Sequence, residues 1–199
     1  IIVKCYHQMN LLQLLHRNFV LNIFYLDKSP KQCAEWMVDK HVTKMIVETS
    51  QLLSTAHRLL DGDMVIQKNP SGRKMKRWML DDDRNDVLYL ASHIKHPSAI
   101  WCMKTNNNYN WLYYHLLQLI EEYKYRYGNK KHKTENLLQH LKFTPNNIDI
   151  GPFTQPTPAM DDVYKISKDS IVCYRNYYKY GKKHLHSWKN REPPEWLKC

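Results

Sequence analysis

The segment VDKHVTKMIVETSQLLSTAHRLL, residues 38–60, decides the fold of this 199-residue chain. Its apolar residues recur at the three- and four-residue spacing of an α-helix, so one face of the segment suits burial. Gly62 lies just beyond it and supplies a stop signal. The pattern predicts a helix over residues 38–60 whose core-facing positions are Val42, Met45, Ile46, Leu52, Leu53, Ala56 and Leu60.

Further helices are predicted on the rest of the chain. Ser29 followed by Pro30 is typical of a helix start, and periodicity and turn residues predict more helix over residues 81–94, 97–105, 109–127, 136–141 and 169–180. Residues 22–26 (NIFYL) suit an extended segment, residues 61–76 a surface loop, and the prolines of residues 143–158 an irregular stretch. We expect a mainly α, compact single-domain helical fold with one short N-terminal extended segment. Residues 22–199 would form the domain and residues 1–21 an extension outside the core.

Basic residues are concentrated in three places. The formal net charge is +11, and residues 67–77, 124–133 and 175–191 hold 16 of the 30 Lys and Arg residues without one acid. Clustered cations bind polyphosphate backbones by releasing counterions, and interleaved aromatic rings can stack on bases. We therefore expect double-stranded DNA to contact Arg73, Lys74, Arg77, Arg126, Lys130, Lys131, Arg175, Tyr177, Tyr178, Lys182 and Lys183.

The cysteines and the apolar segments indicate the cellular compartment in which the protein is expected. Five cysteines are scattered without a CxxC pair or a Cys/His ligand spacing, so we expect neither disulfides nor a bound metal. Polar residues interrupt the apolar N-terminal run well short of a membrane-spanning length, and no small-residue cleavage site follows it. We expect a monomer without a cofactor or a membrane partner, located in the cytoplasm, or in that of the host cell if the chain is viral.

A polar stripe lies opposite the apolar face of residues 38–60. Positions spaced alternately by three and four residues carry six different side chains, namely His41, Lys44, Glu48, Gln51, Thr55 and Arg58. A solvated helix face is usually redundant in Lys and Glu, with pairs spaced by four residues, whereas varied groups on one rigid helix suit a catalytic or base-reading site. We expect Glu48, Lys44, His41 and Asp39 to be catalytic, and Arg58, Gln51 and His57 to contact nucleic acid.

The run Asp39-Lys40-His41 followed by Glu48, D-x-H-x6-E, resembles the first helix of the endonuclease V-type pyrimidine-dimer DNA glycosylases of phages. Two later segments fit in order: His96 through the long helix ending in YRYG (residues 125–128), and YRNYYKYGK (residues 174–182), which is similar to the aromatic C-terminal tail of that family. The resemblance covers roughly half of the chain. It implies a small, basic, all-helical viral DNA repair enzyme in which Glu48 is the catalytic glutamate and His41 contacts DNA.

The sequence departs from that family at the nucleophile. The family attacks C1′ of the damaged nucleotide with the α-amine of a processed N-terminal threonine, and no Met-Thr start is present. The resemblance then leaves Lys40, Lys44 or an activated water as the nucleophile. Glu48 would stabilise the oxocarbenium-like centre or guide the water, while His41 and Arg58 would hold phosphate or base.

Two other functions suit the same residues. A DNA base-modifying transferase would act with the polar stripe on a flipped base, but the chain has only five glycines and no glycine-rich phosphate loop. A nucleic-acid-binding protein without catalysis would keep Lys44 and Glu48 as a simple ion pair. The function we expect is excision of a damaged or modified base by a DNA N-glycosylase, with or without lyase activity.

Overall fold

The structure, a computed structural model, describes residues 21–198. Its α-helices are α1 (Pro30–Trp36), α2 (Asp39–Asp61), α3 (Arg84–Val87), α4 (Pro97–Lys104), α5 (Asn106–Tyr127), α6 (Leu138–Leu141) and α7 (Ser170–Asn176). Two antiparallel strands, β1 (Asp63–Lys68) and β2 (Lys74–Met79), form a small sheet. Short 3-10 turns lie at Lys133–Leu137, Asp162–Tyr164, Lys183–Leu185 and Glu195–Leu197. The predicted mainly α fold is confirmed, and no helix in the described range is long and apolar enough to cross a membrane.

Helix α2 forms the centre of the core. Val42, Met45, Ile46 and Ala56 on its apolar face are fully buried, and the helix packs along α5 and against α4. The long predicted helix is confirmed, and Gly62 follows it as its C-cap residue. Because α2 is held on several sides, its side chains have well-defined positions.

Caps fix the other helix boundaries near α2. The Ser29 hydroxyl accepts a hydrogen bond from the Gln32 backbone amide, and Pro30 begins α1, as predicted. Thr105 separates α4 from α5 and caps α5 through its side chain, while Gly128 ends α5 in the left-handed region with φ 77°. The predicted extension falls on residues outside the described range, apart from Leu21, which is buried in the core with 3% exposure.

Residues 61–76 are not a surface loop, and that prediction is wrong. They contain most of a β-hairpin in which Asp63 is opposite Met79 and Lys68 is opposite Lys74. The turn formers occupy only the connection, where the Asn69 side chain accepts hydrogen bonds from Ser71 Oγ at 2.8 Å and from the Arg73 backbone amide at 2.9 Å. Because this segment is rich in turn-forming residues and its two strands are mostly polar, its sequence gives little indication of β-structure.

The helix predicted over residues 81–94 is also wrong, because only the single turn of α3 forms. The Arg58 guanidinium accounts for the difference, since it binds the carbonyl oxygens of Asn85, Leu88 and Tyr89 at 2.7–2.9 Å. A helix would engage such carbonyls in its own hydrogen bonds. Hydrogen bonds to Arg58, a buried residue distant in sequence, therefore take the place of the hydrogen bonds of a local helix.

The two ends of the described chain lie against α2. Residues 22–26 form neither helix nor a strand of the described sheet, and the predicted extended segment is interrupted at Phe24, which has φ 52°. At the other end, α7 continues into a π-helical turn at Tyr177–Gly181, and the following tail returns to the start of α2. The N-terminal segment and the tail thus cover the polar stripe that the sequence pattern places opposite the core.

Candidate active site

The polar stripe of α2 is largely buried. His41, Glu48, Thr55 and Arg58 are buried, while Lys44 and Gln51 are half-buried. A solvated face is therefore excluded for most of the stripe, and each buried polar group must find a partner or carry an energetic cost. The partners of these residues separate structural roles from candidate catalytic ones.

Glu48 is the residue of the stripe whose partners are incomplete. One carboxylate oxygen, Oε1, lies 2.7 Å from Lys44 Nζ, while no described residue donates a hydrogen bond to the buried Oε2. Burial raises the pKa of Glu48, and the nearby Lys44 ammonium, the Asn22 backbone amide and His93 oppose that rise without cancelling it. A carboxylate with a raised pKa and one unoccupied oxygen is suited to act as a general base.

His41 lies two turns before Glu48, about 10 Å along the helix axis. Its ring stacks on Phe24 with centroids 4.1 Å apart and shares a hydrogen bond of 2.5 Å with the Tyr178 hydroxyl through Nδ1. Burial lowers the pKa of His41 to about 3, assisted by the charges of Lys182, Lys44 and His184. His41 is thus neutral and enclosed, and its observed contacts join three segments of the protein.

Two residues that contact the polar stripe, one near His41 and one near Glu48, have strained backbone. Phe24 has φ 52° and His93 has φ 51°. The left-handed region is uncommon for residues other than glycine, and less common for Phe than for His. Each such residue costs on the order of 1–3 kcal/mol. Phe24 stacks on His41, and His93 acts electrostatically on Glu48, so two separate segments are strained where they meet the stripe. Strain of this kind clusters at functional sites.

The C-terminal end of the stripe has a structural role. Arg58 also donates to the Trp78 carbonyl and to Asn85 Oδ1, at 2.9 and 3.1 Å, so it joins α2 to the hairpin. His57 accepts from Arg84 Nη1 at 2.8 Å and donates from Nε2 to the Tyr109 hydroxyl at 2.7 Å. Burial, with the Arg84 charge, lowers the pKa of His57 to about 4. In this structure the partners of both residues are protein groups.

Asp39 is engaged by the C-terminal tail. Its carboxylate accepts from Ser187 Oγ at 2.6 Å, from the Lys189 backbone amide at 2.9 Å and from Arg126 at 2.9 Å. Burial raises the pKa of Asp39, but these hydrogen bonds outweigh burial and the pKa is lowered. Arg126 is itself buried and also binds Glu122 and the carbonyls of Met37 and Glu35. These contacts assign both residues to holding the tail.

The remaining residues predicted to contact DNA fall into two groups, those that are buried or half-buried and those that are exposed. Arg175 is half-buried, donates to the Leu26 carbonyl at 2.9 Å and lies over the rings of Trp36 and Trp196. Tyr178 is buried, whereas Arg77, Tyr177 and Lys182 are half-buried, with Lys182 Nζ 4.8 Å from the Tyr177 ring centroid. The residues that are exposed and accessible to a phosphate backbone are Arg73, Lys74, Lys130, Lys131 and Lys183.

Two neighbours of Glu48 were not predicted as site residues. The Asn22 backbone amide lies close enough to favour the charged carboxylate but makes no hydrogen bond to Oε2. The Asn22 side chain is fixed by a 2.8 Å hydrogen bond to the Ala159 carbonyl. His93 lies in the segment 81–94, which the sequence pattern predicts as a helix and not as part of a site. Asn22 and His93 are both far from Glu48 in sequence, so no local pattern predicts their proximity.

Neither a metal site in the described part of the chain nor a known relative helps to assign the site. Among residues 21–198, no group of three His, Cys, Asp or Glu side chains is arranged to hold a metal ion. Comparison with known proteins found no matching family model, no matching curated protein and no matching solved structure. The resemblance to phage glycosylases therefore depends on the sequence segments quoted above alone.

Proposed function

We propose that this protein is a DNA N-glycosylase that removes a damaged or modified base, with Glu48 as its catalytic carboxylate. The observation that carries the proposal is the buried Glu48 with its unoccupied Oε2 beside an ion-paired Lys44. Burial of an unsatisfied charged group is destabilising, and proteins retain such groups where function needs them. The basic surface supplies the affinity for the DNA backbone.

The geometry favours water over Lys44 as the nucleophile. Lys44 Nζ is 2.7 Å from Oε1, and an ammonium group in an ion pair has no lone pair with which to attack carbon. Oε2 can instead accept a proton from a water molecule. In the proposed step the water oxygen bonds to C1′ as the glycosidic bond breaks, the base leaves with that electron pair and takes a proton from solvent, and Glu48 receives the proton of the water.

Lys44 and the Asn22 amide would then tune the carboxylate. Both favour its charged form against the effect of burial, and a carboxylate must be in that form to accept a proton as a general base. The charge of Glu48 would also stabilise the positive charge that develops on the sugar ring during bond cleavage.

A panel of duplexes with one lesion or modified base each tests the proposal. Base release followed by alkaline cleavage should give a labelled product for at least one duplex with the parent protein. Borohydride should trap no covalent adduct, because the water route has no imine intermediate. An adduct that disappears in Lys44→Ala would instead establish Lys44 as the nucleophile, and absence of release from the whole panel would leave a binding protein without this catalysis.

A further inference from the structure

One face of the β-hairpin combines cations with exposed apolar side chains. Pairing in the sheet places Met64 opposite Trp78, Ile66 opposite Lys76 and Lys68 opposite Lys74. Residues opposite each other project to the same face of a sheet. We define the hairpin face as Met64, Ile66, Lys68, Lys74, Lys76 and Trp78. It contains three lysines and no acid, because Asp63 projects to the other side.

The hairpin face is open to solvent. Met64 and Ile66 are 49% and 56% exposed, and all three lysines are exposed. Within the described residues, none of these lysines forms an ion pair. The other face contains the half-buried Val65 and Met79. A strand pair with exposed apolar and cationic groups on one side suits an anionic partner with apolar edges.

The base of the hairpin is fixed to α2. Arg58 Nη1 donates to the Trp78 carbonyl at 2.9 Å, and the Gly62 amide donates to the Arg58 carbonyl at 3.0 Å. Gly62 has no side chain at a point where a Cβ would lie 2.6 Å from the Arg58 carbonyl oxygen. The hairpin is therefore a rigid arm whose base is anchored at Arg58. Arg58 lies ten residues beyond Glu48, about 15 Å along the helix.

We propose that the hairpin face binds duplex DNA by entering the major groove, and this inference rests on the proposed function in taking DNA as the partner. A two-stranded ribbon fits that groove. Its lysines can reach phosphates and guanine edges, and Met64 and Ile66 can contact thymine methyl groups.

Salt-dependent binding to an undamaged 20-base-pair duplex tests the inference. The hairpin variant is Lys68→Gln/Lys74→Gln/Lys76→Gln, and the matched control is Lys104→Gln/Lys142→Gln/Lys168→Gln, which removes the same charge from exposed positions. In the hairpin variant the affinity should fall less steeply with salt: the magnitude of the slope of log K against log salt should decrease by about 2–3. Each lost phosphate contact decreases that magnitude by about 0.9. The control should lower it by less than about 1. Equal changes would mean that net charge alone attracts DNA and would overturn the inference.

Three further outcomes distinguish major-groove entry from binding of another kind. Glucosylated 5-hydroxymethylcytosine fills the major groove, so a duplex containing it should bind the parent at least about tenfold more weakly, and unchanged affinity would refute major-groove entry. Loss of binding to phosphatidylserine vesicles in the hairpin variant, with duplex affinity retained, would identify a membrane surface and overturn the inference. Duplex binding through the hairpin without base release from any lesion would refute the glycosylase proposal alone.

Discussion

Replacement of Glu48 by glutamine should make the protein more stable. The substitution keeps the size of the side chain but removes a buried negative charge whose Oε2 has no described donor. An unsatisfied buried polar group costs about 1–3 kcal/mol and more when it is charged, so the neutral amide removes the part of the cost that is due to the charge. A helical ion pair such as Lys44 with Glu48 contributes only about 0.3–0.5 kcal/mol. We expect Glu48→Gln to raise the free energy of unfolding at pH 7 by about 1 kcal/mol.

Urea unfolding followed by circular dichroism measures this difference. Glu121→Gln is the matched control, since Glu121 is 67% exposed in its side chain and pairs with Lys124 at 3.1 Å, so its free energy of unfolding should change by less than about 0.5 kcal/mol. The result that would refute the reasoning is a loss of 1 kcal/mol or more in Glu48→Gln, which would make the carboxylate a structural group.

The pH dependence of the same difference gives an independent check. Because the folded state raises the pKa of Glu48, its contribution to stability is fully present below the pKa of the unfolded chain and is lost as pH rises through the folded pKa. The gap between parent and Glu48→Gln should therefore be small near pH 4 and widen towards neutral pH. A gap that narrows as pH rises would give the opposite sign and contradict the raised pKa.

Three other predictions concern the framework of the site. Arg126→Met should lower the free energy of unfolding by about 3 kcal/mol in urea titrations, because it removes the buried cation that joins Asp39 and Glu122. The loss should be at the low end for a buried pair, since Ser187 and Lys189 still bind Asp39 and Arg191 still binds Glu122; full stability in the variant would show that the ion pairs are dispensable. The folded pKa values of about 4 for His57 and about 3 for His41 predict stability that is present above about pH 6.5 and lost as pH falls towards 4, measurable as a falling thermal midpoint; an unchanged midpoint from pH 7 to 4.5 would disprove neutral burial. Gly62→Ala should loosen the base of the hairpin and accelerate amide exchange there, since the added Cβ would meet the Arg58 carbonyl at 2.6 Å, and unaltered exchange would show that the junction can adjust.

The sequence predicted the parts of the fold that depend on local patterns. The periodicity around Val42 and Met45 located α2, and Ser29, Pro30 and Gly62 located helix ends, because caps and apolar faces are encoded by neighbouring residues. Short polar strands have no comparable signal, so the sequence predicts a loop where the hairpin lies. The helix expected over residues 81–94 failed because Arg58, 27 residues before Asn85, binds the carbonyls concerned.

The sequence predicted only part of the candidate site. The stripe correctly brings Lys44 within 2.7 Å of Glu48, since residues four apart on a helix face each other. What the pattern could not reveal is that Phe24 and Tyr178 enclose His41, or that Arg58 supports the hairpin. Those contacts join positions far apart in sequence, and they separate the supporting residues of the stripe from the one with an unoccupied oxygen.

The rate of base release under single-turnover conditions tests the role of Glu48 most directly. With protein in excess over a labelled duplex that the parent cleaves, Glu48→Gln should slow release by about 10²- to 10⁴-fold, as expected for loss of a general base. Glu121→Gln should release base at the parental rate, and both variants should bind the duplex with a Kd within about twofold of the parent, because neither residue is assigned a phosphate contact. Release by Glu48→Gln at the parental rate would contradict the assignment of Glu48 as the catalytic carboxylate.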